Sequence, residues 1–241
     1  MKLLVVGAAG YVGSIVRPAL EAAYDCWYYD LKPVPDRAER CFVGSVEDHA
    51  LVDRALGGVD TVLYMPMGVG RGGMHAPTSI GQPFSVNAPG TYRFAYLAMM
   101  RGIRRFIYIS TLSVYHGDYG RFDVAEDHPP NGLYPYAITK RLGEFACTAM
   151  AQGHPDATFV MLRLYHPRNE SDFNHPISTK DHPTPRFTCS TGPKDTQRLF
   201  VAAAAFDEPG AHIIQATGDL SGTVFNHGRA KRLLGWEPRG E

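Results

Sequence analysis

A chain of 241 residues, 44% hydrophobic and 20% charged, has the balance of an ordinary soluble globular protein long enough to bury a substantial core. Its 24 basic and 24 acidic side chains cancel and form no like-charged block, which argues against nucleic acid or a charged surface as partner. Cys26, Cys41, Cys147 and Cys189 are widely spaced and form no CxxC pair, so neither a disulfide scaffold nor a metal site is expected. No apolar run approaches the roughly 18–20 residues that span a bilayer, and a reduced, cytoplasmic setting with no membrane partner is expected.

Short β-branched and aromatic runs alternate with amphipathic stretches from the first residues onward. Strands are predicted at 3–6, 26–29, 41–43, 61–65, 105–110, 158–164 and 212–216. Helices are predicted at about 12–23, 47–57, 84–101, 135–152, 195–206 and 228–235. Several strands are apolar on both faces, as in a buried parallel sheet with helices on either side. The reading is α/β: a Rossmann-like, doubly wound parallel sheet with a small C-terminal substrate-binding portion. Residues 1–164 are expected to form the dinucleotide-binding domain. Residues 165–241 are expected to supply a reduced substrate-binding segment and the last sheet elements, all within one compact unit. The stretch 165–194 has five prolines and no clean period, and a loop of that length is expected to be functional or disordered.

The first strand runs into GAAGYVG, with Gly7, Gly10 and Gly13 around Tyr11 and Val12. Glycines there permit a tight turn and bring the backbone and a helix N-terminus against a pyrophosphate. The second strand ends at Asp30, 20 residues after Gly10, where a carboxylate accepts from ribose hydroxyls and repels a 2′-phosphate; NAD is expected rather than NADP. A strand at 105–110 then leads into Ser110, Thr111, Ser113 and Tyr115, hydroxyls at the strand end where ligands bind in open sheets.

YPYAITK at 134–140 opens the next helix and places Tyr136 and Lys140 on one face at i and i+4. An ammonium beside a phenol favours the phenolate, so Tyr136 is expected to exchange a proton with a substrate alcohol as hydride moves, with Thr111 aligning the substrate oxygen. A second copy of the pattern, Tyr28 and Lys32, straddles a strand end and cannot form such a helix pair.

Taken in order, GAAGYVG, Asp30, ISTLSVY and YAITK, with VDTVLYMP, SVNAPGTYRFAYLAMM and the closing RLLGWEPR, resemble the extended short-chain dehydrogenase/reductases, the NAD-dependent epimerase/dehydratase family. The resemblance implies that Thr111, Tyr136 and Lys140 are catalytic, with Asn87 supporting the active site and Lys140 also binding the nicotinamide ribose. It implies that Ser45 and Val46 flank the adenine, Ser45 standing where the family more often has an acid. After the fourth strand the family usually has small residues, whereas this chain has Met65, Pro66 and Met67; Met65 is expected against the cofactor. The glycine-rich loop that follows reads either as a lid, with Arg71 touching substrate, or as a surface loop.

The C-terminal portion is short for a nucleotide-sugar enzyme and compares in size with uronate dehydrogenases, which look similar around ISTLSVY and LYPYAITK. A sugar or sugar acid is therefore the expected substrate, with Arg168, Asn169, Asn174, His175 and Arg186 as candidate contacts. His128, His175 and His182 precede prolines and read as turn residues, and Arg163 as a structural strand-end residue. A dehydrogenase acting on a sugar or sugar acid is the leading expectation. An epimerase and a noncatalytic NAD-sensing protein are the alternatives. Surplus apolar residues on the helices at 84–101 and 135–152 (Tyr92, Leu97, Met99, Phe145, Met150) are expected to pair in a homodimer.

Overall fold

The computed structural model describes residues 1–115, 126–174, 189–222 and 225–241. Seven strands form one parallel sheet: β1 (Lys2–Val6), β2 (Asp25–Asp30), β3 (Cys41–Val43), β4 (Thr61–Tyr64), β5 (Arg105–Thr111), β6 (Thr158–Leu164) and β7 (Gly210–Ala216). Their order is β3-β2-β1-β4-β5-β6-β7. The chain first builds outward from β1 to β3, then returns to the other side of β1 with β4. That reversal leaves a crevice beyond the carboxyl ends of β1 and β4, where open α/β sheets bind ligands. The expected α/β doubly wound sheet is what the chain forms, and β7 extends the same sheet as the first six strands.

The connecting helices are α1 (Tyr11–Ala23), α2 (His49–Ala55), α3 (Gln82–Asn87), α4 (Pro89–Met100), α5 (Pro135–Gly153), α6 (Glu170–Asn174), α7 (Pro193–Ala205) and α8 (Gly228–Leu234). Alternation along β1 divides the core: Leu4 and Val6 join α2, α4 and α5 on one face, while Leu3 and Val5 join α1, α7 and α8 on the other. Burial on both faces explains the near-continuous apolar runs. Among the described residues no helix is long and apolar enough to cross a membrane.

Two departures from the predicted elements have local causes. The single helix expected at 84–101 is two, because Pro89 lacks an N–H and crowds the residue before it, so α3 ends at Asn87 and α4 starts afresh. The segment after β6 contains α6, whose start is capped by Asn169: its Oδ1 accepts from the Asp172 N–H at 2.7 Å.

The surplus apolar residues also sort differently from the expectation. Leu97 and Met99 are buried in the protein's own core, and Met150 packs against it. The apolar side chains left exposed on these helices are Tyr92, Tyr96 and Met100 on α4 with Leu142 and Phe145 on α5.

Candidate active site

The turn from β1 to α1 is shaped by its glycines. Gly7 has φ +84°, a left-handed conformation that favours glycine, and a Cβ there would stand 3.0 Å from the Pro66 nitrogen. A Cβ on Gly13 would stand 2.6 Å from the Ala8 carbonyl carbon and closer still to its oxygen, so only glycine lets α1 begin this close to the turn. Asp30, at the end of β2, accepts from the Ala9 N–H at 2.8 Å through Oδ2 and from the Lys32 N–H at 3.2 Å through Oδ1. One carboxylate thus braces the turn and faces the crevice.

A cavity of about 660 Å³ opens from this turn, within the range of small-molecule and cofactor sites. Gly7, Gly10, Tyr11, Val12, Gly13, Asp30, Ser45, Val46 and Met65 all border it, as do Thr111, Tyr136 and Lys140. The Ser45 carbonyl accepts from the Tyr29 hydroxyl at 2.7 Å, and the Val46 carbonyl from Arg93 Nη1 at 2.8 Å, which secures the wall expected to flank an adenine. An extended dinucleotide fits this cavity on the structure's own terms. Glycines stand at three positions of the turn where a pyrophosphate would lie, a 13-residue helix starts there, and a carboxylate stands at the neighbouring strand end. The second tyrosine–lysine pattern lies apart from the chemistry: Tyr28 is buried and donates to Glu21 Oε1 at 2.5 Å, while Lys32 follows the end of β2.

On the same cavity, Thr111 is the last residue of β5 and Tyr136 the second of α5. The Thr111 hydroxyl lies beside the Tyr136 phenol and accepts from the Ser113 N–H at 3.1 Å. Lys140 is buried at 2% exposure. Its Nζ donates to the Ile109 carbonyl at 2.8 Å and the Pro66 carbonyl at 3.5 Å, and lies 5.9 Å from the centre of the Tyr136 ring.

The electrostatics differ from the simple expectation of an ammonium that lowers the phenol. Burial pushes the Tyr136 phenol up, the neighbouring Tyr134 adds to this, and the nearby Thr111 hydroxyl opposes it. Burial likewise pulls the Lys140 ammonium down to about 7, against the Glu144 carboxylate. A low-dielectric interior disfavours both charged forms, and Lys140 directs its protons to backbone carbonyls rather than to the phenol.

Asn87 stands behind this arrangement and does not border the cavity. Its Oδ1 accepts from the Gly68 N–H at 2.7 Å, and its Nδ2 donates to the Gly68 carbonyl at 2.8 Å and to Thr139 Oγ1 at 3.1 Å. Asn87 therefore pins the loop after β4 to α5. That loop also lines the cavity. Met67, Val69 and Met74 border the cavity, the Met74 carbonyl accepts from the Tyr136 N–H at 3.4 Å, and His75 stacks on Tyr134 with ring centres 4.1 Å apart. Arg71 is exposed and outside the cavity lining.

Of the other substrate-side residues, Arg168 donates its backbone N–H to the Thr191 carbonyl at 2.9 Å, Asn174 is exposed at the end of α6, and neither borders the cavity. His175 and Arg186 lie outside the described residues, as does His182. The nearby segment meets the glycine turn through Tyr11, whose phenol donates to Asp172 and accepts from the Asn169 N–H at 3.0 Å.

The sequence reading passed over His166. It follows β6 and borders the cavity with Pro167, in a left-handed conformation at φ +40°. Residues before proline favour extended backbone, so this strained geometry marks the position. The signal was the same His-Pro pair read elsewhere as turn chemistry.

Comparison with known proteins agrees with this geometry. Residues 3–188 match the model of the NAD dependent epimerase/dehydratase family. A dTDP-glucose 4,6-dehydratase from Streptomyces niveus is 30% identical over 176 residues, covering 64% of this chain and 50% of that protein, so the match spans about half the relative's length. Among solved structures, a short-chain dehydrogenase/reductase superfamily protein from Agrobacterium tumefaciens with bound NAD is similar at TM-score 0.80 and 24% identity, over 99% of this chain and 93% of that one. A mutated uronate dehydrogenase is similar at TM-score 0.80 and 18% identity, over 99% and 81%. These structural likenesses establish the fold. With the family match spanning most of the chain, the protein belongs to the NAD-dependent epimerase/dehydratase family, and NAD is its cofactor.

Proposed function

We propose that the protein is an NAD-dependent oxidoreductase that moves hydride to or from an alcohol carbon of a sugar or sugar acid. The observation that carries this reading is the meeting of Thr111, Tyr136 and Lys140 on the cavity that the glycine turn also lines, with Lys140 joining β5 to the loop after β4. Gly7 to Gly13 and Asp30 would hold the cofactor's pyrophosphate and adenosine ribose, and Lys140 its second ribose. Bound NAD supplies the hydride acceptor and, when oxidised, a positively charged ring.

Tyr136 carries the proton. In its neutral form, which burial favours, it donates to a substrate oxygen during carbonyl reduction. Accepting a proton from an alcohol requires added positive charge to favour the phenolate. Thr111 holds the substrate oxygen in line with Tyr136. Met74 and the loop around it shield the site from water, a role Asn87 supports by fixing Gly68. His166 and Pro167, which border the cavity after β6, would contact the substrate and supply part of its outer wall.

A dehydratase would need a carboxylate acid–base pair beside Thr111, and Leu112 and Ser113 stand there instead. Epimerisation is the second reading, because the same tyrosine and lysine serve hydride removal and return. The dimer is proposed on the exposed stripe of α4 and α5 already described. All four cysteines are free thiols, which favours the reducing cytoplasm.

The deciding experiment is a panel of uronates and aldoses incubated with NAD, followed at 340 nm and by chromatography for epimers. NADH formation on at least one sugar, lost roughly 10²–10⁴-fold in Tyr136→Phe with NAD affinity retained, supports the reading. Epimers without net NADH transfer the assignment to the second reading. Neither product, with NAD still bound, removes both and leaves a noncatalytic NAD-binding protein.

A further inference from the structure

Behind the reacting pair lies a buried ion pair that the proposed chemistry does not touch. Tyr136, Lys140 and Glu144 stand at i, i+4 and i+8 of α5, one stripe on the helix face turned to β5. All three are buried, and each reaches a different one of three consecutive β5 residues. Tyr136 lies beside Thr111, Lys140 donates to the Ile109 carbonyl at 2.8 Å, and the Ser110 hydroxyl donates to Glu144 Oε1 at 2.6 Å.

From β6, Arg163 grips the same carboxylate in bidentate fashion, with Nε 2.8 Å from Oε1 and Nη2 2.7 Å from Oε2. Arg163 is held in turn by the Tyr115 phenol and, at 3.3 Å, by the Glu126 carbonyl. Buried ion pairs are poor devices for stability, because apolar residues of similar volume serve as well or better once desolvation is counted. Its place beneath the active site gives this one another use.

We propose that Glu144, clamped by Arg163 and Ser110, is a positioning residue that sets α5 against the end of β5 and lays a negative charge one helical turn from Lys140. Ser110 sits between the two β5 residues that Lys140 and Tyr136 contact, so its bond to Glu144 anchors the strand end on which both contacts depend. The groups around Lys140 are Tyr136 and Glu144 on its own helix, Tyr108 of β5 with its ring centre 5.0 Å from Nζ, and the Ile109 and Pro66 carbonyls. Arg163 stands beyond Glu144. Among the groups around Lys140, it is the Glu144 carboxylate that opposes the burial driving Lys140 neutral.

The kinetic consequence rests on the reading of Tyr136 and Lys140 as the reacting pair; the charge relation does not. The test therefore begins with the titration of Lys140 in the intact chain. The chain has six lysines (Lys2, Lys32, Lys140, Lys180, Lys194, Lys231), and the Lys140 ¹³Cε signal is assigned by its loss in Lys140→Met. In the native protein that signal should titrate near 7. In Glu144→Gln it should titrate lower by at least about half a pH unit.

Since Glu144→Gln leaves Arg163 buried without its partner, the double variant Glu144→Leu/Arg163→Met supplies a stable, uncharged comparison. It should melt close to the native protein, show the same lowered Lys140 titration, and oxidise the best sugar roughly tenfold more slowly with a displaced pH profile. A double variant whose Lys140 titration and rate profile superimpose on the native ones overturns the proposal and leaves the pair a structural strut. If no sugar is turned over, the proposed function fails while the titration still decides the charge relation.

Discussion

Replacing Gly13 by alanine should break the cofactor turn while leaving the rest of the sheet intact. The added Cβ would meet the Ala8 carbonyl group, 2.6 Å from its carbon, against an ordinary contact of about 3.5–4.0 Å. Roughly 1 Å of separation must therefore come from moving the start of α1 away from the turn, and the partner atoms are backbone that no rotamer change removes. Overpacking of this kind costs about 1–3 kcal/mol, which for a chain of this length lowers Tm by roughly 2–4 °C per kcal/mol. NAD affinity should fall further, because the displaced amides and helix N-terminus form the proposed pyrophosphate site; each 1.4 kcal/mol lost there weakens Kd about tenfold. Differential scanning calorimetry and titration calorimetry with NAD read the two effects. Gly153→Ala is the control: nothing lies within 4 Å of a Cβ built there, it ends α5, and it should be neutral or stabilising by about 0.5–1 kcal/mol. A Gly13→Ala protein with native Tm and native NAD affinity would refute the steric reasoning.

Asp30→Ala removes the acceptor of the Ala9 N–H and the expected partner of the adenosine ribose; NAD should bind roughly 10–100-fold more weakly, with discrimination against NADP reduced, both read by fluorescence titration. Lys140, with its folded pKa depressed to about 7 from 10.5, binds fewer protons folded than unfolded between those values, so it makes stability rise with pH by about 1.4 kcal/mol per unit across that window. Urea denaturation at pH 7.5 and 9 should show Lys140→Met lacking this increment, and equal pH slopes in the two proteins would contradict the burial argument. Phe145→Glu, at a side chain 71% exposed on α5, should convert the proposed dimer to monomer by light scattering without altering Tm; a native protein that is already monomeric at micromolar concentration removes the interface.

The sequence alone determined the parts of this protein that depend on local geometry. Strand and helix order follows from period and from glycine and proline placement, and the turn at Gly7–Gly13 follows because neighbouring residues must carry it. Asp30 and Thr111 follow from their places at strand ends, and the Tyr136–Lys140 stripe from helical spacing. What only the tertiary structure decided are relations between segments distant in the chain. Lys140 meets the carbonyls of Ile109 and Pro66, and burial, not proximity to the phenol, governs its charge. Asn87 serves the loop after β4 through Gly68, and Met74, not Arg71, borders the cavity. His166 enters the site because β6 ends beside it, and Arg163 meets Glu144 because β6 lies next to β5. No residue type or spacing encodes these pairings, since a long-range contact is set by which surfaces the fold brings together after the local elements have formed.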